Sequence, residues 1–405
     1  MRHLQRSFWP LVLLAGIAAC SSSKDKEIDK PAKLTPLAAT LRVDHAWSAS
    51  VVDDNKQTKL RLGLGLSSDG ERVYAANHRG DVAAIALANG RVAWRTHTKA
   101  PLSGGTSVGD GLVLAGTSDG QLFALDAASG AVRWRIRVSG EVLAPAAISP
   151  RLIALRLVNG RVQALSPADG HEVWSYDQPV PRLSLRGTSR PVFAGDLVLS
   201  GFDNGRIAAV NVNDGAMLWE QTVTPPHGRS ELERLDDIDT PVIVSGQDVY
   251  TVGYQGRVAM LALDTGQVWW SHEASSYRGM VLDGDVLYMV TADAEVVAMR
   301  AKTGAEIWRQ KMLLNRRLSP PAVTEDSVIV GDFQGYLHWL DKATGELQAR
   351  SKEGKARIST APLVIDGKVV VINDRGQIRA YTTQPIRGRA PKAEKPKAEN
   401  PAPAS

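Results

Sequence analysis

A unit of about 40 residues recurs eight times along this chain of 405 residues. Each unit has an apolar strand, a turn ending in glycine, a second strand, and another glycine turn followed four residues later by Trp, as in "DGLVLAGTSDGQLFALDAASGAVRW" at 110–134. The first glycines are Gly80, Gly120, Gly160, Gly205, Gly256, Gly335 and Gly376, with Ala294 in their place in one unit. The second glycines are Gly90, Gly130, Gly170, Gly215, Gly266, Gly304 and Gly345, and the Trp residues are Trp94, Trp134, Trp174, Trp219, Trp270 and Trp308. Many turns are Asp-Gly or Asn-Gly, which accept the positive φ of tight hairpins, so the repeat predicts β-hairpins.

The period and the alternation of side chains predict the fold. In "VRWRIRV", 132–138, apolar and Arg side chains alternate, as in a half-buried strand. A period near 40 with about four strands is typical of a propeller blade. The eighth unit stops at "GQIRAYTT", 376–383, without its second glycine or Trp, whereas "RVDHAWSASV" at 42–51 supplies Trp47. We therefore predict an all-β fold: one eight-bladed β-propeller of four-stranded antiparallel blades over 41–384, its ring closed by pairing of the N- and C-terminal strands.

The start of the chain has the pattern of an export signal. An apolar run over 8–19 follows Arg2 and Arg6 and is too short to span a bilayer comfortably. The stretch "GIAAC", which ends in the only cysteine, resembles a bacterial lipobox. That resemblance implies a signal peptide at 1–19, acylation of Cys20 by lipid such as palmitate, and a lipidated flexible linker at 20–40. Ser21 after the cysteine resembles the pattern sorted to the outer membrane; a plain signal peptide is the alternative.

The distribution of charge gives no indication of a nucleic-acid partner, and we expect none. Residues 386–405 carry five basic and two acidic side chains, so with Arg2 and Arg6 they account for the whole formal charge of +5. The propeller itself is formally neutral and lacks the concentrated positive charge that phosphate binding needs. The end of the chain, 385–405, is rich in Pro, Ala, Lys and Glu, which predicts a disordered tail. An envelope-binding tail is the alternative.

Two connections between units are longer than the others. From a Trp to the next strongly apolar strand the chain ordinarily takes 18 residues, as from Trp94 to Leu112, but the connections after Trp174 and Trp219 take 23 and 30. Both are of the same type and lie in consecutive blades. We therefore expect them to emerge on one face and to form one surface.

The two long connections hold candidate partner-binding residues. The first contains "PRLSLRGTSRP", with Leu183, Leu185 and Arg186, and the second contains "ELERLDDIDTP", with Asp237 and Asp239. Apolar side chains beside an arginine and carboxylates suit a protein-binding patch, because burial supplies affinity while charges fix orientation. A solvated loop is the alternative for the acidic run, and pairing of Arg186 with either aspartate within the chain is the alternative for the charges.

The units resemble a known family. Stretches such as "ALDAASGAVRW" and "HWLDKATGEL" resemble the tryptophan-docking repeats of quinoprotein propellers. Together with the lipobox, they resemble the lipoprotein propeller family of the outer-membrane β-barrel assembly (BAM) machinery. This resemblance implies a lipid-anchored, non-enzymatic scaffold at the periplasmic face of the outer membrane. It would bind the periplasmic domains of the barrel-forming subunit and assist the folding and insertion of outer-membrane β-barrel proteins, with unfolded outer-membrane proteins as a further candidate partner.

The resemblance extends to the two long connections. "LSLRG" and "DIDTP" resemble the segments by which that family contacts the barrel subunit, which implies partner-binding roles for Leu183, Leu185, Arg186, Asp237 and Asp239.

Two alternatives come from other functional classes. Quinone-dependent dehydrogenases share the repeat, but one cysteine permits no cysteine pair, and the sequence shows no carboxylate and amide cluster suited to Ca²⁺ and the quinone. We therefore expect no catalytic residue, no cofactor and no metal site. A polysaccharide-binding propeller would need exposed aromatic residues, for which Tyr254, Tyr277 and Trp339 are the candidates.

Overall fold

The predicted hairpins are present in a computed structural model, which describes residues 30–52, 64–185, 187–225 and 237–386. Apart from Lys30, these residues belong to one unit, Pro31–Ser405. The predicted signal peptide, Cys20, Arg186 and residues 387–405 lie outside the described residues. The described part of the chain contains no helix, and so none long and apolar enough to cross a membrane.

The first half of the described chain contains sixteen strands. In chain order they are β1 (Leu41–Ser50), β2 (Ser67–Ser68), β3 (Arg72–Ala76), β4 (Asp81–Ala86), β5 (Val92–His97), β6 (Ser107–Gly109), β7 (Leu112–Gly116), β8 (Gln121–Asp126), β9 (Val132–Arg137), β10 (Ala147–Ile148), β11 (Ile153–Arg156), β12 (Arg161–Leu165), β13 (Glu172–Asp177), β14 (Val192–Ala194), β15 (Leu197–Gly201) and β16 (Arg206–Asn211).

The second half adds sixteen more. They are β17 (Met217–Thr222), β18 (Ile243–Ser245), β19 (Asp248–Val252), β20 (Gly256–Ala262), β21 (Val268–Ala274), β22 (Met280–Asp283), β23 (Val286–Val290), β24 (Val296–Arg300), β25 (Glu306–Gln310), β26 (Ala322–Val323), β27 (Ser327–Gly331), β28 (Tyr336–Asp341), β29 (Leu347–Lys352), β30 (Leu363–Ile365), β31 (Lys368–Ile372) and β32 (Gln377–Pro385).

These strands form eight four-stranded antiparallel sheets, which confirms the predicted eight-bladed propeller. Blades 1 to 7 take their strands in chain order, from β2-β3-β4-β5 to β26-β27-β28-β29. Blade 8 has the order β1-β32-β31-β30, so its fourth strand comes from the other end of the chain. Leu41 lies opposite Pro385 and Ser50 opposite Gln377, which confirms the predicted closure of the ring.

The first strand of each blade is only two to four residues long. It lies within the segment that the sequence analysis counted as a connection between blades. First strands of neighbouring blades contact one another, which places them around the axis. Because strands alternate in direction, the fourth-to-first connections and the second-to-third turns share one face of the ring, which we call the loop face. The third-to-fourth turns lie on the opposite face.

The core is divided among the interfaces between blades, with one cluster of buried residues at each of the eight interfaces. Each docking Trp joins two blades. Trp94 in blade 1 donates its indole N–H to the Ala127 carbonyl of blade 2 at 3.0 Å. Its ring lies on Gly130, where φ is +74° and an added Cβ would lie 2.5 Å from the indole. Glycine is needed at this position because it adopts a positive φ without strain and because it has no Cβ to collide with the indole. The same contact recurs for Trp47, Trp134, Trp174, Trp219, Trp270 and Trp308.

Residues 31–40 differ from the flexible linker that the sequence predicts. The Ala32 amide donates to the Leu314 carbonyl at 2.9 Å, and the Thr40 amide donates to the Gln348 carbonyl at 3.0 Å. Leu34 and Leu37 pack against the cluster between blades 6 and 7. The correction has a physical reason: these leucines cover apolar side chains that the edge of blade 7 would otherwise expose to water.

A buried ionic cluster fixes the start of this segment. The Arg316 guanidinium, which is 3% exposed, donates to the Asp332 carboxylate at 2.6 Å and to the Ala32 carbonyl at 2.8 Å. His338, fully buried, contacts the same carboxylate at 3.1 Å. Burial alone would raise the pKa of Asp332, but the hydrogen bond and charge of His338, together with hydrogen bonds from the Tyr336 amide and Arg316, hold it below its usual value. Residues 31–40 therefore begin on the loop face, beside blade 7.

Candidate functional site

The two long connections meet on the loop face. The backbone N–H of Leu185, in the connection between blades 3 and 4, donates to the Asp237 carboxylate in the connection between blades 4 and 5. The Ser189 hydroxyl donates to the Thr240 carbonyl at 2.9 Å. Gly187 lies so close to the second connection that an added Cβ would be 2.7 Å from the Asp239 carboxylate. The structure therefore brings the two predicted segments into one surface.

An apolar residue between the two aspartates sets their positions. Ile238 is fully buried and packs against Gly201 at the end of the second strand of blade 4. Its amide donates to the Phe202 carbonyl at 3.1 Å, and the Asp237 carbonyl accepts from the Tyr254 amide at 2.9 Å. In the sequence "DID", the buried isoleucine thus fixes the second connection to blade 4, and one aspartate carboxylate lies on each side of it.

The predicted site residues differ in how far they reach solvent. Leu183 is 43% exposed, Leu185 and Asp239 are half-buried, and Asp237 is only 1% exposed. Asp237 therefore orients the first connection through the Leu185 backbone. Arg186 lies outside the described residues, so its pairing with either aspartate stays a prediction.

A buried ion pair lies behind this surface. Arg156 and Asp203, both nearly inaccessible, are 3.0 Å apart, and the Arg156 guanidinium stacks 4.8 Å from the centre of the Phe202 ring. Burial lowers the pKa of Arg156, opposed by the carboxylates of Asp203, Asp239 and Asp237. Burial raises the pKa of Asp239 well above its usual value, reinforced by Asp237 and Asp203 and offset by Arg156. The second connection thus places two carboxylates near one buried arginine of blade 3, and burial favours the protonated form of Asp239.

Beside the two connections, the loop face opens into a cavity of about 740 Å³ at the mouth of the axial channel. All eight blades contribute to its wall, from Gly65 in blade 1 to Ala361 in blade 8. Arg190, Arg278 and Arg357 line it. The sequence analysis quoted the segment that contains Arg190 without singling this residue out, and it missed Arg278 and Arg357 because they lie in connections of ordinary length. Aligning the eight units would have shown an arginine shortly before the first strand in several of them, Arg190, Arg278 and Arg357 included.

Of the three aromatic candidates for polysaccharide binding, two lie together in the cavity and the third is buried in blade 7. Tyr254 and Tyr277 line the cavity and meet edge to face, with ring centres 5.9 Å apart. Trp339 is fully buried in blade 7, so the hypothesis that it is an exposed aromatic residue available for binding was wrong. Among the described residues, no group of three or more His, Cys, Asp or Glu side chains is placed to hold a metal ion.

Comparison with known proteins extends these observations. The family model described as outer membrane protein assembly factor BamB matches residues 78–310 and 292–385. A protein of that name from Pseudomonas aeruginosa is 45% identical over 372 residues, covering 92% of this chain and 97% of the relative. Another from Bordetella pertussis is 34% identical over 378 residues, covering 92% and 96%.

Solved structures agree with the fold. The crystal structure of BamB from Moraxella catarrhalis matches with a TM-score of 0.77 at 27% identity, covering 84% of this chain and all of that one. Quinohemoprotein alcohol dehydrogenase ADHIIG from Pseudomonas putida HK5 matches with a TM-score of 0.65 at 14% identity, covering 90% and 78%. At that identity the second match shows a shared fold alone.

Proposed function

The chain belongs to the BamB family of outer membrane protein assembly factors, and we propose that it binds the periplasmic domains of the machinery's barrel-forming subunit as a non-enzymatic scaffold. In that role it assists the folding and insertion of outer-membrane β-barrel proteins. The observation that carries the proposal is the hydrogen bond between Leu185 and Asp237, which joins the two long connections into one surface. A scaffold needs such a preformed surface, because ordering flexible loops on binding costs affinity.

The five candidate residues take different parts in this surface. Leu183, in the first long connection, is exposed and supplies apolar area for the partner to cover. Asp237, buried beneath it, keeps the first connection in place, and Asp239 packs against Gly187. Arg186, between Leu185 and Gly187, is assigned the charge that orients the partner.

We further propose that Cys20 is lipidated and holds the propeller at the periplasmic face of the outer membrane. Because residues 31–40 lie along blade 7, only residues 20–30 of the predicted linker precede the packed segment. From Cys20 to Pro31 a fully extended chain spans at most about 40 Å. The packed segment begins on the loop face, where Arg316 holds the Ala32 carbonyl, so a lipid at Cys20 would keep that face close to the bilayer.

Copurification of the barrel-forming subunit with the lipidated chain tests the scaffold role. Leu183→Ala should lower recovery of the subunit severalfold, because it removes exposed apolar area at the docking surface. Ile307→Ala is the matched control, since Ile307 is 42% exposed but lies on the outer strand of blade 6. Equal recovery with both variants, at unchanged melting temperature, would place the partner elsewhere. Acyl mass at Cys20 and membrane fractionation test the anchor, and an unmodified soluble chain would contradict it.

A further inference from the structure

The outer strands of blades 3 to 6 carry large apolar side chains at one shared position. In every blade the pairing of the third and fourth strands shifts register one residue before the docking Trp, or before Ala349 in blade 7. A β-bulge there leaves one residue without a cross-strand partner. In blades 8, 1, 2 and 7 the bulge residue is Ala46, Ala93, Arg133 or Gln348. In blades 3 to 6 it is Val173, Leu218, Trp269 or Ile307, and we call these four residues the rim arc.

The rim arc is open to solvent. Its side chains are between 42% and 58% exposed, and Met217, next to Leu218, is 53% exposed. A β-bulge turns a side chain away from the regular alternation of its strand, so these residues do not join the buried clusters between blades. Single exposed apolar side chains are ordinary on protein surfaces, but four at one position in consecutive blades indicate a binding surface.

Backbone pairing with a partner strand is disfavoured along the rim arc. Each fourth strand is the outer edge of its sheet, so one side of its backbone has no strand of the same blade beside it. The bulge interrupts the regular row of N–H and C=O groups and increases the local twist, which hinders the addition of a further strand. The rim arc therefore contacts a partner through side chains rather than through a continuous ladder of hydrogen bonds.

The face on which these strands begin, opposite the loop face, is acidic. The first-to-second and third-to-fourth turns of blades 3 to 6, counted with the strand residue at each end, hold nine carboxylates: Asp169, Glu172, Asp196, Asp214, Asp248, Asp264, Asp283, Asp285 and Glu306. The bases that these turns contain, or that pair with them from outside, are Arg151, Arg300, Lys302, Arg309 and Lys342, together with His171, which contacts Asp169. Nine carboxylates against six bases leave an excess of negative charge beside the rim arc.

This charge selects among the occupants that an apolar surface could have. Anionic lipid would be repelled, and the packed segment that follows Cys20 begins on the loop face, away from the rim arc. A second copy of the chain would bring two acidic faces together, because a symmetric dimer uses the same patch on both subunits. A polypeptide with apolar and basic side chains is complementary to both features of the surface.

We propose that the rim arc binds extended segments of unfolded outer-membrane β-barrel proteins that carry basic residues. A strand of such a barrel alternates apolar and polar side chains over about ten residues. Its apolar side chains would cover the rim arc, while long Lys or Arg side chains bend toward the carboxylates of the turns. The inference rests on the proposed function, because it assigns a place to the proteins whose folding the scaffold assists.

Fluorescence anisotropy of a labelled peptide of about ten residues, in which Val alternates with Lys or Thr, measures binding to the full mature chain. Leu218→Ser and Trp269→Ser should each weaken binding about fivefold, and the double variant at least about tenfold, because each removes apolar area that the peptide covers. Ile386→Ser is the matched control, since Ile386 is 39% exposed but follows the last strand of blade 8. A second peptide with Glu in place of each Lys should bind at least about tenfold more weakly. Thermal melts check that each variant is folded.

The outcomes separate this inference from the proposed docking surface. Weaker peptide binding by the rim-arc variants, with unchanged recovery of the barrel-forming subunit, supports it. If these variants bind the Lys peptide within twofold of wild type, or if the Glu peptide binds as tightly, the inference is wrong while the docking surface stands.

Two further results would assign the rim arc to another occupant. Lower recovery of the subunit with the rim-arc variants would assign the rim arc to that subunit and contradict the inference. Binding of phosphatidylethanolamine and phosphatidylglycerol vesicles that requires Trp269, without peptide binding, would make the rim arc a lipid surface and overturn our assignment. If Leu183→Ala leaves recovery of the subunit unchanged while the rim-arc variants lose the peptide, the docking surface fails and the rim arc stands.

Discussion

Trp339 and Ala349 are cross-strand partners in blade 7, with the large side chain on the third strand and the small one on the fourth. The corresponding pairs in the other blades have the Trp on the fourth strand, opposite an alanine as in Ala124 and Trp134, or opposite Met260 in blade 5. Each fourth-strand Trp lies on the third-to-fourth glycine turn of the next blade. Blade 8 has no such turn, because its third and fourth strands, β32 and β1, come from opposite ends of the chain. The exchange of size in blade 7 therefore follows from the closure of the ring.

Trp339→Ala should destabilise the propeller by about 3–5 kcal/mol, the range for a buried large aromatic side chain. Trp339 is fully buried and meets Tyr381 of blade 8 edge to face at 6.4 Å. Adding Ala349→Trp should not restore stability, because the new indole has no glycine turn to lie on. Urea denaturation measures both variants. Full recovery in the double variant would show that the position of the Trp within blade 7 is interchangeable.

Gly130→Ala should be more costly than Gly111→Ala, although both glycines have positive φ, +74° and +70°. At Gly111 an added Cβ has nothing within 4 Å, so only the backbone strain of about 1–2 kcal/mol applies. At Gly130 the Cβ would also displace Trp94, adding roughly 1–3 kcal/mol. Chemical denaturation of the two variants gives the difference. Equal losses would mean that the indole moves aside freely.

Asp239→Asn should raise the melting temperature at pH 7.5 and have no effect near pH 3. The pKa of Asp239 is raised in the folded state by burial and by Asp237 and Asp203. Its contribution to stability is therefore complete below the ordinary value of about 3.9 and is lost as pH rises through the folded pKa. Asparagine does not ionise, so the Asp239→Asn variant does not lose this stability as the pH rises. Melts from pH 3 to 8 test this, with exposed Asp264→Asn as control; a constant difference across pH would contradict it.

Leu34→Ser with Leu37→Ser should lower the free energy of unfolding by about 1 kcal/mol per residue, since both side chains are half-buried. Hydrogen exchange should rise at the Thr40 amide, which donates to Gln348. Leu218→Ser is the control, because Leu218 is 52% exposed and should change little. Unchanged exchange in 31–40 would mean that the two leucines do not hold this segment to blade 7.

Trp47→Ala should destabilise the whole propeller by about 3–5 kcal/mol, although its cross-strand partner, Ala380, lies 333 residues later in the chain. Its indole N–H donates to the Leu87 carbonyl of blade 1 at 2.9 Å, and it is 6% exposed. Deleting 41–50 should have a larger effect, since it removes the fourth strand of blade 8. Asp44→Ala, a change on the same strand at a partly exposed side chain, is the control. Unchanged thermal melts for the deletion would refute the shared blade.

The repeat by itself determined the fold, because its signals are local. Asn-Gly and Asp-Gly turns, alternating side chains and a Trp at fixed spacing from a glycine each act within one hairpin or between adjacent blades. Even ring closure was predictable, since the unit that lacked a Trp at its end was matched by Trp47 near the start. The excess lengths after Trp174 and Trp219 likewise predicted that the two long connections form one surface.

Tertiary structure alone decided the properties that arise where distant segments meet. Asp237 is buried because Ile238 anchors it in blade 4, and Asp239 is neighboured by Asp203 and Arg156 from other blades. Arg278 and Arg357 face one cavity although 78 other residues separate them in the chain. Residues 31–40 pack on blade 7 because that edge exposes apolar side chains. Burial and electrostatic fields depend on the summed surroundings of a group, and a linear pattern does not contain those surroundings.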